Sequence, residues 1–244
     1  MPPVRSPAAL PARHPAAPAG WRDGQLETLK WIALASMFLD HVGRFLLGFG
    51  NESWVFAGGR LAFPLFAFVL GMNLAREGDR AGRAARTALR LALWCAVSVL
   101  PSIWMRGDPW VVNVLGTLSL GAAACWALAA SAHPALRALV LAGAALGALR
   151  VEFGVPGTLL VAGVYLAATR ATAVHVLAAA ALLLLVGWNN ASFGGWPALL
   201  GTLAPAPVAA AVGLAPLRLA RPKLAFYLVY PVHLALIGAL KEFG

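Results

Sequence analysis

The sequence predicts an all-α fold, a polytopic integral membrane helical bundle of about nine transmembrane helices. Of its 244 residues, 61% are hydrophobic and only 11% are charged, and the mean hydropathy is +0.78. A soluble domain carries about 25% charged residues. Apolar blocks of about 15–20 residues alternate with short polar breaks, which is close to the length that crosses a bilayer as a helix. The blocks lack the strict alternation of a transmembrane β-strand, which disfavours a β-barrel.

Nine apolar stretches follow from the hydropathy pattern along the chain. They cover residues 30–49, 56–75, 88–105, 110–131, 135–149, 154–169, 172–187, 197–215 and 224–241. The preceding residues, 1–28, are rich in Pro and Ala and lack the apolar core of a signal peptide, so we interpret them as a disordered cytoplasmic tail. Residues 29–244 are then expected to form a single transmembrane domain.

The nineteen Lys and Arg residues set the expected orientation. Most lie in breaks on one side, and cytoplasmic loops carry such an excess, which predicts a cytoplasmic amino terminus and a periplasmic carboxyl terminus in a bacterial inner membrane. The formal net charge of +10 is then explained by topology and by contact with membrane lipid, and nucleic acid is not expected as a partner. Cys95 and Cys125 lie in apolar blocks without metal-ligand spacing, so no metal is expected.

The first predicted span carries three polar residues in its middle, Asp40, His41 and Arg44. A charge at mid-bilayer costs about 2.5 kcal/mol or more, so such residues are candidates for a functional site. Asp40 and Arg44 are four residues apart and share a helix face, whereas His41 is rotated by about 100° from Asp40. We therefore expect Asp40 to pair with Arg44, or with His233 from another span, and not with its neighbour His41. A purely structural Asp40–Arg44 ion pair is the alternative.

Counting along the spans predicts a common depth for several of these groups. Asp40 follows Lys30 by ten residues, and His233 follows Lys223 by the same number, which is about 15 Å along each helix. Asp40, His41 and His233 are thus expected near the midplane of the membrane. Arg60 enters the second span near its outer end, and Pro64 is expected to kink that helix.

Other polar residues are weaker candidates for substrate contact. Asn113 and Thr117 share a face of the fourth span, where packing between helices is an equally good explanation. Glu152 begins the sixth span, and an interfacial ion pair with Arg150 is the structural alternative. Tyr230 precedes His233 by three residues.

Two of the polar breaks admit both a structural and a functional interpretation. The break from Arg76 to Arg90 is typical of a cytoplasmic loop, and Arg76, Arg80 and Arg83 could instead bind the phosphates of a nucleotide-bearing cofactor. The segment Trp188–Trp196 is expected to be an external loop whose tryptophans lie at the headgroup level, and substrate contact is the functional alternative.

Five segments resemble the TraX family, in the order seen in that family and over residues 29 to 241. They are KWIALASMFLDHVGRFL, GGRLAFPLFAFVLGMNLAR, NVLGTLSLGA, VEFGVPGTLL and FYLVYPVHLALI. The family usually has Asp-Tyr-Gly where this chain has Glu152-Phe153-Gly154, a departure that keeps the acid and the ring. The family also resembles the multi-span membrane acyltransferases, which tend to place an essential His in the first span.

The resemblance implies an acetyltransferase in pilus conjugation, which transfers an acetyl group from acetyl-CoA to the amino-terminal amine of a pilin subunit. Acyl transfer to an amine needs a base, and histidine suits that role near neutral pH. His41 is expected to be the base, with His233 as the second candidate. Arg44 and Arg60 are expected to stabilise the oxyanion or to bind substrate.

Three alternatives remain open at this stage. An acyltransferase could modify a surface sugar or a lipid instead of a pilin. A proton-coupled transporter would also place Asp, His and Arg at the midplane, although no inverted repeat is visible. A non-catalytic pilus assembly factor would need none of these side chains.

Overall fold

A computed structural model describes residues 20–215, 219 and 225–243 of the chain. Its regular elements in these residues are ten helices. They are α1 (Asp23–Phe45), α2 (Trp54–Gly59), α3 (Ala62–Ala75), α4 (Arg80–Arg106), α5 (Val114–Ala129), α6 (Pro134–Ala148), α7 (Gly154–Arg170), α8 (Ala173–Leu203), α9 (Pro205–Leu214) and α10 (Ala225–Phe243). The all-α prediction therefore holds for the described chain.

Four stretches of the described chain are long and apolar enough to cross a membrane. They are Trp54–Ala75, Arg80–Arg106, Ala173–Leu214 and Phe226–Phe243. Helices α5 and α6 are apolar but shorter, and at 1.5 Å per residue a helix of that length falls short of a hydrocarbon core of about 30 Å. The membrane-protein class is supported, and the predicted count of nine spans is not confirmed.

Helix α1 begins at Asp23, seven residues before the predicted span, because tertiary contacts hold its first turn. The side-chain amide of Gln25 donates to the carbonyls of Gly213 (2.7 Å) and Ala215 (3.0 Å) near the end of α9. Asp23 lies in the positive first turn of the helix and pairs with Arg76. Residues 1–19, the main part of the predicted tail, lie outside the described chain, as does Lys223.

The prediction of an external loop at Trp188–Trp196 is wrong, because this segment belongs to α8. Only Gly194 and Gly195 leave helical geometry, and Gly195 has φ 60° and ψ −156°, a region open essentially to glycine alone. The amide of Asn190 donates to the Thr202 hydroxyl at 2.8 Å, whereas a straight helix would separate residues twelve apart by about 18 Å. The chain thus reverses its direction within the predicted segment. The reversal takes place over two glycines and not over a nine-residue loop.

The predicted loop Arg76–Arg90 is also shorter than expected, because α4 begins at Arg80. The Asp79 carboxylate caps this helix by accepting the Gly82 amide at 2.7 Å. The connection between α3 and α4 is therefore only four residues long, and most of its arginines lie on a helix.

The site is positioned by a break between α2 and α3 at Arg60 and Leu61. Pro64 cannot donate to the Arg60 carbonyl, which agrees with a break at this point. Across from it, Ser36 of α1 donates to the Gly58 carbonyl at 2.6 Å. A Cβ atom at Gly59 would lie 2.3 Å from Cβ of Asp40, so α1 and α2 approach this closely only because residue 59 is glycine.

Two loops before α5 and α7 are joined by a single parallel bridge. The Val112 amide donates to the Arg150 carbonyl at 2.7 Å, and the Glu152 amide donates to the Val112 carbonyl at 3.0 Å. This bridge brings Asn113 and Glu152, far apart in sequence, to the same end of the bundle.

Candidate functional site

The centre of the site is a pair of histidines from α1 and α10. Nδ1 of His41 lies 2.8 Å from Nε2 of His233, and the two rings are stacked with an angle of 8° between their planes. Phe38 and Tyr230 pack against the His233 ring at 4.7 and 5.4 Å between centroids. His233 is therefore enclosed by aromatic side chains and is only 3% exposed, whereas His41 is partly exposed.

The hydrogen bonds of His233 determine which nitrogen carries the proton. Its Nδ1 lies 3.0 Å from the Val229 carbonyl oxygen, which can only accept, so Nδ1 of the neutral ring must be the donor. Nε2 of His233 is then an acceptor, and Nδ1–H of His41 donates to it. This arrangement leaves Nε2 of His41 with a lone pair that is not used within the histidine pair.

Asp40 forms a buried ion pair with Arg60, so the prediction that it pairs with Arg44 or His233 is wrong. The Arg60 guanidinium lies 2.5 Å from Oδ2 of Asp40, and the residues are 8% and 3% exposed. Helical spacing suggested Arg44, but the glycine contact at Gly59 brings the second span close enough to supply Arg60 instead. Within the described chain, Oδ1 of Asp40 and Nε of Arg60 have no hydrogen-bond partner.

Arg44 lies beside the ion pair without joining it. Its guanidinium is 5.2 Å from the centroid of the Phe45 ring and 5.0 Å from that of Phe56. The Arg60 guanidinium lies 4.2 Å from the same Phe56 ring. One aromatic ring thus contacts both cations, which is a favourable cation–π arrangement.

A cavity of about 360 Å³ leads towards the histidine pair from the end of the bundle where α1 and α10 begin. Tyr230 lines this cavity and also contacts His233, so a single ring separates the cavity from the histidine pair. Leu34, Met37 and Phe66 give the cavity an apolar wall. Its mouth is basic and is formed by Lys30, Arg76, Arg83, Arg86 and Arg90.

The arginines of the mouth differ in what they already bind. Arg76 pairs with Asp23 and donates to Oδ1 of Asn73 at 3.0 Å. Arg83 donates to the carbonyls of Arg76 (2.6 Å) and Glu77 (2.8 Å), the two residues that follow α3. Arg80 donates to the Ala75 carbonyl at 3.1 Å and lines a different cavity, so the three predicted arginines do not form one site.

Arg86 and Arg90 are the exposed arginines of the mouth, and the sequence prediction passed over them. Arg90 lies 6.0 Å from the Tyr227 ring centroid, and Arg86 reaches Asp79 only at 3.5 Å with both side chains more than 60% exposed. Their position four residues apart on one face of a helix was the available signal.

Asn113, Thr117 and Glu152 have structural partners. Asn113 caps α5 by accepting the Leu115 amide and donates to the Cys95 carbonyl at 3.0 Å. The Thr117 hydroxyl accepts the Phe153 amide at 3.4 Å. Glu152 pairs with Arg106 at 3.6 Å and not with Arg150, which was the structural alternative from the sequence.

These features define a class of protein: a helical membrane protein whose interior holds a histidine pair, a buried Asp–Arg ion pair and a cavity with a basic mouth. The family model described as "TraX protein" matches residues 25–241, and the chain belongs to the TraX family. Protein TraX from Escherichia coli is 31% identical over 228 residues, which are 90% of this chain and 88% of that protein. Protein TraX from E. coli strain K12 is 38% identical over 105 residues, 42% of this chain and 39% of that protein. No solved structure matches the chain.

Proposed function

We propose that the protein is a membrane acetyltransferase that moves the acetyl group of acetyl-CoA to the amino-terminal amine of a pilin subunit. The observation that carries the proposal is the cavity, which runs from exposed arginines to the aromatic ring that touches a histidine pair. Such a shape fits a donor with a charged nucleotide at one end and a reactive thioester at the other. Family membership supports the same reaction class.

The nucleotide of the donor would lie at the basic mouth, which the distribution of Lys and Arg favours as the cytoplasmic end. Arg86 and Arg90 are the residues proposed to bind its phosphates, because arginine donates two parallel hydrogen bonds to a phosphate. Arg76 and Arg83 would hold the mouth open through their bonds to Asp23 and to backbone carbonyls. The pantetheine arm would follow the apolar wall as far as Tyr230.

His41 is proposed as the general base. Its Nε2 lone pair would accept a proton from the attacking amine, while Nδ1–H stays bonded to His233. His233 would act as a positioning residue that fixes the tautomer of His41, in the way that a carboxylate does in hydrolase triads.

The reaction balances with these groups alone. The amine nitrogen bonds to the thioester carbonyl carbon, the C–S bond breaks, and the proton held by His41 passes to the departing CoA thiolate. Negative charge collects on the carbonyl oxygen in the tetrahedral intermediate. Arg60 is the proposed donor to this oxygen, since its Nε–H has no other partner in the described chain.

The first experiment compares His41→Ala with His175→Ala in purified full-length protein. His175 hydrogen-bonds to Thr172 near the start of α8, away from the histidine pair, and serves as the matched control. Each variant receives acetyl-CoA and a peptide with a free amino terminus, and the same peptide with a blocked amino terminus tests the acceptor. Transfer to the free amine that requires His41 supports the proposal, and full turnover by His41→Ala contradicts it.

The same assay separates the alternatives. Acetyl transfer to a sugar or lipid hydroxyl, with none to the peptide amine, would change the proposed acceptor and leave the proposed mechanism as it is. Proton flux in proteoliposomes without acetyl-CoA would point to a transporter. Pilus assembly that survives replacement of Asp40, His41 and His233 together would point to an assembly factor.

A further inference from the structure

We propose that a second cavity, on another side of the start of α4, binds the phosphate of an anionic phospholipid. This cavity measures about 470 Å³ and lies between the turn before α4 and the carboxyl ends of α5 and α7. Its lining includes Arg80, Arg170 and Tyr165 together with apolar side chains. It has no role in the proposed acetyl transfer and is independent of it.

The polar side of this cavity suits a phosphate group. Arg170 is an exposed cation in the last turn of α7, and within the described chain it makes no ion pair. Arg80 uses Nε to bind the Ala75 carbonyl, and its position along the same cavity adds a second positive charge. Tyr165 is only 5% exposed and lines the same cavity as both arginines.

The one acidic residue of the lining does not neutralise this cationic site. The Asp79 carboxylate accepts the Gly82 amide at 2.7 Å and extends towards Arg86 at 3.5 Å. Its charge is therefore directed at the first turn of α4, where it caps the helix. The cavity retains a net positive charge from Arg80 and Arg170.

The remaining lining favours a lipid over a soluble phosphate. Leu128, Ala129 and Leu166 form an apolar edge next to the arginines, and Leu128 is 37% exposed. The cavity lies at the start of α4, a helix long and apolar enough to cross a membrane, and such a helix end is expected at the level of the headgroups. Basic pockets between transmembrane helices bind anionic headgroups at this level, and the leucine edge offers a surface for the first methylenes of an acyl chain.

The test uses the full-length chain in nanodiscs and measures bound phospholipid by native mass spectrometry. Nanodiscs of phosphatidylcholine receive increasing fractions of phosphatidylglycerol, and the retained phosphatidylglycerol is counted. We expect one saturable site, an affinity about five- to tenfold weaker in Arg170→Gln, and a smaller loss in Tyr165→Phe. Arg22→Gln removes an exposed arginine near the start of α1 that lines neither cavity, and it should bind as the wild type does.

Three results would overturn the proposal. Equal retention in Arg170→Gln and the wild type would exclude this cavity as the site. Equal retention of phosphatidylcholine would remove the requirement for an anionic headgroup. Displacement of phosphatidylglycerol by millimolar inorganic phosphate would assign the site to a soluble anion. Tyr165→Phe leaves the charges of Arg80 and Arg170 in place. A loss of phosphatidylglycerol binding in that variant, with unchanged thermal unfolding, therefore cannot be attributed to a misfolded helix end.

Discussion

His41 and His233 lie 192 positions apart in the sequence, and their ring nitrogens lie 2.8 Å apart in the fold. The contact joins the first helix to the last, so both ends of the bundle must be in place before the pair exists. The Val229 carbonyl, one turn before His233, determines the direction of the hydrogen bond between the rings. Activity should therefore depend on the hydrogen-bond acceptor at residue 233, as well as on His41 as the proposed base.

Replacement of His233 should separate positioning from base catalysis. His233→Ala should lower kcat by about 10²-fold, within the range attributed to positioned acid–base groups. His233→Gln should keep a larger share of the activity, because its amide oxygen can still accept Nδ1–H of His41. Steady-state kinetics with acetyl-CoA and an amine acceptor provide the measurement. If the Gln and Ala variants have the same kcat, then residue 233 does not act through this hydrogen bond.

Loss of either partner of the Asp40–Arg60 ion pair should destabilise the protein strongly. Removing one partner of a buried pair costs about 3–5 kcal/mol, because an uncompensated charge stays buried. Asp40→Asn and Arg60→Gln should each lower the unfolding temperature in detergent. In the double variant the decrease should be smaller than the sum of the two single decreases. Arg86→Gln breaks an exposed pair with Asp79 and should change stability by no more than about 1 kcal/mol. Additive effects of Asp40→Asn and Arg60→Gln would contradict a direct coupling.

Arg90 should affect donor binding and not the chemical step. Arg90→Gln should raise KM for acetyl-CoA about tenfold with little change in kcat, since a phosphate contact far from the thioester is made equally in the ground and transition states. Higher ionic strength should reduce the difference between the variant and the wild type. Arg22→Gln serves as the control for lost charge at the same end of the bundle. An unchanged KM in Arg90→Gln would place the nucleotide elsewhere.

The close contact between α1 and α2 should not tolerate an added methyl group at Gly59. Gly59→Ala would place a Cβ atom 2.3 Å from Cβ of Asp40, and overpacking of this kind costs about 1–3 kcal/mol. The displaced helix would also carry Arg60 away from Asp40, so both unfolding temperature and activity should fall. Gly50→Ala is the matched control, since nothing lies within 4 Å of a Cβ at that position. Equal behaviour of the two variants would show that the contact is not needed.

The sequence was sufficient to predict which residues share a depth, but not which residues pair. Counting from Lys30 and Lys223 placed Asp40, His41 and His233 together, because helical rise is constant. The pairing of Asp40 with Arg60 depends on how closely two helices approach, and that distance is set by Gly59 and Ser36. Local spacing favoured Arg44, since the rule for neighbours on one helix takes no account of a second helix.

The arginine cluster illustrates the same difference at the end of the bundle. The sequence prediction named Arg76, Arg80 and Arg83 as possible phosphate ligands and did not include Arg86 or Arg90, which lie in the same segment. In the fold, Arg80 and Arg83 bind backbone carbonyls near the end of α3, and Arg76 binds Asp23 and Asn73. These partners are set by the early start of α4 and by the first turn of α1, neither of which hydropathy could predict.

The reversal at Gly194 and Gly195 has a consequence for mutational screens of this protein. A Cβ at Gly194 would lie 2.5 Å from the Phe56 ring, and one at Gly201 would lie 1.9 Å from the Ala57 carbonyl oxygen. Phe56 in turn contacts the guanidinium groups of both Arg44 and Arg60. Loss-of-function substitutions should therefore cluster in residues 194–201, a segment without any candidate catalytic group, and suppressors of them should be sought on α2.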